Sequence, residues 1–158
     1  MSEIKTLLAD ALQGAHTVAL LGCGSVLRGD DAAGMAVAER LSGFGGNVRV
    51  FCGSNAPENF TGEIKKFRPD TLLVIDAAHM GLPAGEAAII SPEDIEGVSF
   101  STHILPLKVM LDYLRREIGC RVVLVGIQGI NYEFQAGMSP EVGDAVDSIV
   151  AALGDLLR

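Results

Sequence analysis

Apolar positions in this chain fall into two kinds of pattern. Short, nearly continuous runs occur at residues 16–21, at 71–76 (TLLVID) and at 121–126, as strands covered on both faces require. A shorter strand is predicted at 47–52, and 86–90 has the make-up of an edge strand. Between these runs apolar residues recur at helical spacing. Residues 2–14 place Ile4, Leu7, Leu8 and Leu12 on one face, with Ser2 as a cap. A second helix over 31–42 turns Met35, Ala38 and Leu41 inward and stops at Gly43, and Pro57 opens a third that reaches residue 67. The fourth, 105–118, has Pro106 in its first turn and Leu107, Leu111, Leu114 and Ile118 in a stripe. The last begins with Ser139 as cap and Pro140 at the first helical position, and carries Val142, Val146, Ile149, Val150, Leu153 and Leu157. Residues 91–103 hold turn residues with little periodicity, and 127–138 read as a loop with some aromatic content.

Strands alternating with helices predict a three-layer αβα sandwich: a mostly parallel five-stranded sheet, with 86–90 as one antiparallel edge strand. There is no internal repeat, low-complexity tract or linker, so residues 1–158 are expected to form a single domain. At 49% apolar residues the chain can fill such a core. Twenty acidic against twelve basic residues give a formal net charge of −8, which argues against nucleic acid and anionic membrane surfaces as partners. Three cysteines without C-x-x-C spacing form neither a disulfide framework nor a thiolate zinc site. The first residues contain acids and no long apolar core, and no run approaches 18 apolar residues, so a cytoplasmic protein without membrane insertion is expected.

The chemistry concentrates after the first strand, in VALLGCGSVLRGDDAAG at 18–34. A dinucleotide loop would need glycine at position 27, which is Leu27, and a phosphate loop would need G-K-S/T. What remains is a glycine-framed turn presenting Asp30 and Asp31. One of the pair is expected to cap the following helix, which leaves the other to bind something. Asp76 ends the buried 71–76 run at the same sheet edge, where open α/β folds assemble their sites. His103 stands in a polar stretch just before a helix. Two carboxylates and an imidazole would make a three-ligand site with open positions, suited to zinc or nickel without choosing between them. His16 reads as structural and His79 as a loop histidine near Asp76. Cys23 is a rival nucleophile if a histidine serves as its base. Ser25 lies in no G-x-S-x-G elbow, and H-E-x-x-H is missing.

The stretch GCGSVLRGDDAAG resembles the N-terminal signature of the nickel–iron hydrogenase maturation endopeptidases, G-x-G-N followed by D-D/E-G-x-G. The resemblance continues through SNAPENF, RPDTLLVIDAAHMGLPAGEAAIISPEDI, STHILPLKVMLDYLRREIG and VVLVGIQ, and looks most like the HycI-like branch that processes the hydrogenase 3 large subunit. Residues 1–15 stand as a helical extension before the usual start. The resemblance implies an aspartic-type endopeptidase that removes a C-terminal extension from a large-subunit precursor already loaded with nickel. The nickel would come with the substrate. It also implies Asp31, Asp76 and His103 as metal contacts, with Asp31 and Asp76 as the catalytic carboxylates. Ser25 and Asp30 are expected at the substrate. Two positions depart from the signature: Ser25 replaces its Asn, and Ala32 replaces the Gly after the acid pair. These departures keep open a non-proteolytic nickel-binding assembly factor. A monomer or weak homodimer is expected, with the leading helix either a dimer contact or a lid over one sheet face.

Overall fold

A computed structural model describes residues 3–100 and 104–158. Its elements are α1 Glu3–Ala11, β1 Val18–Cys23, α2 Ala33–Arg40, β2 Val48–Ser54, α3 Thr61–Phe67, β3 Thr71–His79, β4 Ala87–Ile90, β5 Ser99–Phe100, α4 Ile104–Ile118, β6 Arg121–Gln128 and α5 Pro140–Leu156. Short 3-10 turns at Gly29–Ala32 and Pro57–Phe60 lead into α2 and α3. The five expected strands form one sheet in the order β2-β1-β3-β6-β4, parallel except for β4, which runs antiparallel to β6 as the edge strand. A sixth strand of two residues, β5, pairs antiparallel with Ala78 and His79 of β3. It lies in the 91–103 stretch that shows little periodicity, because a two-residue strand is too short to leave an alternation.

Helices cover both faces. Leu8 of α1, Leu12 just after it, Val37 and Ala38 of α2, and Val142, Val146, Ile149 and Leu153 of α5 pack against Val18, Leu20, Leu73 and Ile75 on one side. Ile64 of α3 and Leu107, Met110, Leu111 and Leu114 of α4 pack against Ala19, Leu21, Leu72 and Val74 on the other. Alternate residues of each central strand thus serve opposite cores, which is why these strands read as unbroken apolar runs. Of the two roles open to the leading helix, α1 takes the covering one: Leu8 is fully buried in the first core, and Lys5 pairs with Asp155 of α5 at 2.9 Å. The Ser2 cap lies outside the described residues. Among the described residues no helix is long and apolar enough to cross a membrane.

The strand order positions the site. From β1 the chain moves to β2 on one side, then returns to β3 on the other side of β1. The helix after β1 and the helix after β2 pack on opposite faces. A crevice therefore opens at the carboxyl ends of β1 and β3, the switch point of the sheet. Pairing of β1 with β3 ends at Gly22 and Ile75, while β3 runs on beside β6 as far as Ala78 and Gln128. Asp76 is therefore not the last residue of its strand; it is the first residue of β3 beyond the end of the β1 pairing. Ala77 and Ala78 have weak strand preference, and pairing to β6 and β5 extends the strand through them.

Candidate active site

The loop from Gly22 to Gly34 is built around close backbone approach. Gly24 has φ +118°, and a Cβ there would stand 1.9 Å from the Asp31 carbonyl oxygen. No other residue type allows that approach. The loop thereby folds back so that the Ser25 N–H donates to Asp31 Oδ2 at 3.0 Å. The Ser25 hydroxyl accepts from the Leu27 N–H at 3.2 Å, closing a local turn. Ser25, expected at the substrate, is nearly buried and spends these groups on shaping the loop and holding Asp31. Ala32 sits at φ −77°, ψ −4°, a conformation open to any residue, so the missing glycine costs the loop nothing here.

Asp31 has only 6% of its surface exposed, and its Oδ1 is the one buried side-chain oxygen or nitrogen without a hydrogen-bond partner among the described residues. Buried acceptors are ordinarily satisfied, so an orphan carboxylate oxygen marks a place where a ligand belongs. Asp31 is also one of the residues lining a cleft of about 330 Å³, together with Arg28, His79, Ser99, Phe100 and Tyr132. Hollows of about 350 and 460 Å³ lie elsewhere, one among Ile4, Glu86, Glu141 and Asp144, the other among Glu58, Val109, Met110 and Tyr113. Neither contains an unsatisfied buried oxygen among the described residues, so size does not decide the site.

The expectation that one of the two acids caps the following helix does not hold, since no side-chain cap bond starts either the 3-10 turn or α2. Asp31 turns back to Ser25, as above. Asp30, expected at the substrate, has no exposed surface. Its Oδ2 accepts from the N–H groups of Ile130 at 2.9 Å and Asn131 at 3.0 Å and from the Ser139 hydroxyl, and its Oδ1 accepts from the Ser139 N–H at 2.7 Å. Burial pushes this carboxyl up, but the bonds from Ile130, Ser139 and Asn131 outweigh it and hold Asp30 below its ordinary value. Ser139 is the N-cap residue of α5, yet its hydroxyl donates to Asp30 instead of accepting from the helix.

Asp76 is completely buried, in register with Gly126 of β6. By strand alternation it shares the sheet face of Val74 and Ala78, the face that α4 covers. Cys23 projects to the same face and is also completely buried. Burial, then the carboxylates of Asp76, Glu58 and Asp31, push the Cys23 thiol well above its ordinary value. It stays protonated, and the nucleophilic thiol route loses its basis. His103 lies outside the described residues; the helix expected after it begins at Ile104. Among the described residues no three His, Cys, Asp or Glu side chains stand close enough to hold a metal ion.

Three contributors escape a reading by pattern. Tyr132 lines the cleft with its ring 5.6 Å from that of His79. Arg28 lies over the Phe134 ring at 5.9 Å. Gln128 ties the edge together, its Oε1 accepting from the Met80 N–H at 2.7 Å and its Nε2 donating to the Gly129 carbonyl at 2.9 Å. The available signal was position: loops that follow strands at one sheet edge converge, and the aromatic residues of 127–138 belong to such a loop. His79, read as a solvated loop histidine, instead ends β3 as an exposed wall of the cleft.

Comparison with known proteins agrees with the fold. The family model for HycI-type hydrogenase maturation proteases matches residues 35–155. The hydrogenase 3 maturation protease of Escherichia coli K12 is 40% identical over 87% of this chain and 88% of its own length. The crystal structure of a nickel–iron hydrogenase maturation protease HycI from Thermococcus kodakarensis KOD1 superposes with TM-score 0.86 at 31% identity, covering 95% of this chain and 97% of that one. The solution structure of the endopeptidase HycI from Escherichia coli gives TM-score 0.79 at 38% identity, over 90% and 92%.

Proposed function

The chain belongs to the hydrogenase maturation proteases, and on that premise we propose that it removes the C-terminal extension of a nickel-loaded hydrogenase large-subunit precursor at the Asp31 cleft. The observation that carries this reading is the buried, unpartnered Oδ1 of Asp31 at the switch point of the sheet. A carboxyl oxygen held there without a hydrogen-bond donor fits a divalent cation. Asp76 on the adjoining strand and His103 before α4 complete the proposed ligand set. The nickel is part of the substrate and not a resident cofactor. It would be recognised by these three side chains, which places the scissile bond beside the cleft.

Peptide hydrolysis then needs a water delivered to the carbonyl and a group to take its proton. Asp31 and Asp76 are the candidate carboxylate bases, which makes the enzyme aspartic-type in its chemistry. The metal would supply polarisation of the carbonyl or the water. Three free cysteines without a disulfide pattern suit a reducing compartment, so the cytoplasm is the proposed place of action.

The test is a processing assay with a cognate precursor, nickel-loaded or nickel-free, read by product mass. A shortened product only from the loaded precursor is expected, and Asp76→Asn should keep the fold while processing falls at least about a hundredfold, the scale for loss of a general base. Asp76→Asn with undiminished cleavage would remove Asp76 from the site. Binding of loaded precursor without any cleavage by the wild type would establish the assembly-factor role instead.

A further inference from the structure

Asp30 collects four hydrogen bonds on one carboxylate, from Ile130, Asn131 and both donors of Ser139. The attachment runs both ways, because the Asp30 N–H donates to the Asn131 carbonyl at 2.8 Å and the Gln135 N–H to the Leu27 carbonyl at 2.7 Å. Gly29, at φ +52°, lets the two backbones touch, since a Cβ there would lie 2.3 Å from the Asn131 oxygen. Yet no residue from 129 to 137 belongs to either hydrophobic core, and Ile130 and Phe134 are each 59% exposed. A surface segment is thus held by a completely buried acid with no core to protect. Rigid fixation of a peripheral loop is a feature of sites that must present a defined wall.

What this segment presents is Tyr132. Its ring packs beside His79 and lines the cleft with Asp31. Its hydroxyl lies over Gly129, where a Cβ would stand 2.5 Å from the hydroxyl and 2.9 Å from Asp30 Cβ. Tyr132, Gly129 and Asp30 form one tight stack.

We propose that Asp30 is a positioning residue for proteolysis: by clamping residues 129–139 it holds Tyr132 as the wall of the Asp31 cleft against which the substrate polypeptide is laid. The inference rests on that cleft being where the precursor is cut. A displaced wall loosens the hold on the peptide before any chemistry occurs, so the effect belongs in KM.

The experiment measures kcat and KM on nickel-loaded precursor for Tyr132→Ala, Tyr132→Phe, Asp30→Asn, the double variant Asp30→Asn/Tyr132→Ala, and Asp31→Asn. Tyr132→Ala is expected to raise KM about tenfold with kcat within about twofold, and Tyr132→Phe, which keeps the ring, to restore the wild-type KM. Asp30→Asn should raise KM similarly, and the double variant should be no worse than Tyr132→Ala, since Asp30 acts through Tyr132. A double variant in which the two effects multiply overturns the proposal, as does Tyr132→Ala with wild-type KM. Should Asp30→Asn not fold, Ser139→Ala removes one donor and keeps the carboxylate. It should speed amide exchange at Ile130 and Asn131 and raise KM to a smaller degree; faster exchange with unchanged KM overturns the proposal. Asp31→Asn separates the two readings. If it still processes at the wild-type rate, the cleft assignment fails and this inference with it. If it is inactive while Tyr132→Ala has wild-type KM, only this inference fails.

Discussion

Gly34 shows two physical effects of opposite sign at one residue. It lies inside α2, where helix propensity alone would make Ala better by about 1 kcal/mol. A Cβ at this position, however, would stand 2.2 Å from the Ile75 carbonyl oxygen and 2.5 Å from that of Cys23. Both are strand backbone atoms that cannot swing aside. Gly22 opposite is as tight, its Cβ position lying 2.4 Å from the Gly34 oxygen. Close packing should therefore win over propensity: Gly34→Ala is expected to lose about 1–3 kcal/mol of stability in urea unfolding, the usual range for overpacking. A neutral or stabilising result would mean that α2 is not seated on β1 and β3 as described. The seating has a functional consequence, because it sets where the turn carrying Asp31 lies relative to Asp76. The signature glycine retained at this position is thus a packing requirement, whereas Ala32 needs no glycine at its ordinary helical angles.

At the scale of elements, α1 is the case that pattern alone left open. Its stripe is amphipathic, which suits a dimer contact as well as a cover. Leu8 shows the covering role, being fully buried in the core shared with α2, α5 and the sheet. Leu8→Ala is expected to cost about 2–4 kcal/mol, as for other buried leucines cut to a methyl. Its unfolding midpoint should not depend on protein concentration, and a concentration-dependent midpoint would restore the dimer-contact role. The loop 129–139 is the converse case. It has little periodicity and no share in the cores, and is held by Asp30 alone of the two loop acids. Side-chain to backbone bonds of this kind leave no mark on hydrophobic spacing, so the loop's order was invisible until the fold brought residues 30 and 139 together.

At the scale of the whole molecule, acids joined to backbone N–H groups set the response to pH. Asp70 Oδ2 accepts from the His16 N–H at 2.9 Å and the Thr17 N–H at 2.8 Å, while the Thr71 hydroxyl donates to its Oδ1, so it staples the start of β1 to the start of β3. Burial raises its carboxyl, but the Thr17, Thr71 and His16 bonds together prevail and leave it below its ordinary value of 3.8. A carboxyl lowered by folding contributes its stability fully above that ordinary value and loses it as pH falls through and below it. Asp30 is lowered in the same sense. The wild-type urea midpoint should accordingly fall between about pH 5 and pH 3. Asp70→Asn should be less stable at neutral pH and lose less over that window; an unchanged acid slope would show that Asp70 does not contribute.

The sequence by itself determined the alternation of strands and helices, the two-faced burial of the central strands, the antiparallel edge and the concentration of acids after the first strand. All of these rest on local periodicity and on the residue types that turns demand, which are properties of neighbours along the chain. It also singled out the Asp30–Asp31 pair, as more acid than a helix start requires, and Asp76, an acid closing an apolar run at the same sheet edge. Tertiary structure alone decided that Asp30 and Asp31 differ. Their identical side chains, adjacent in sequence, meet four donors in one case and, in the other, one donor on Oδ2 and none on the buried Oδ1. Only folding could make that distinction, because each donor to Asp30 comes from a segment about a hundred residues away, and hydrogen-bond satisfaction is a property of three-dimensional neighbours.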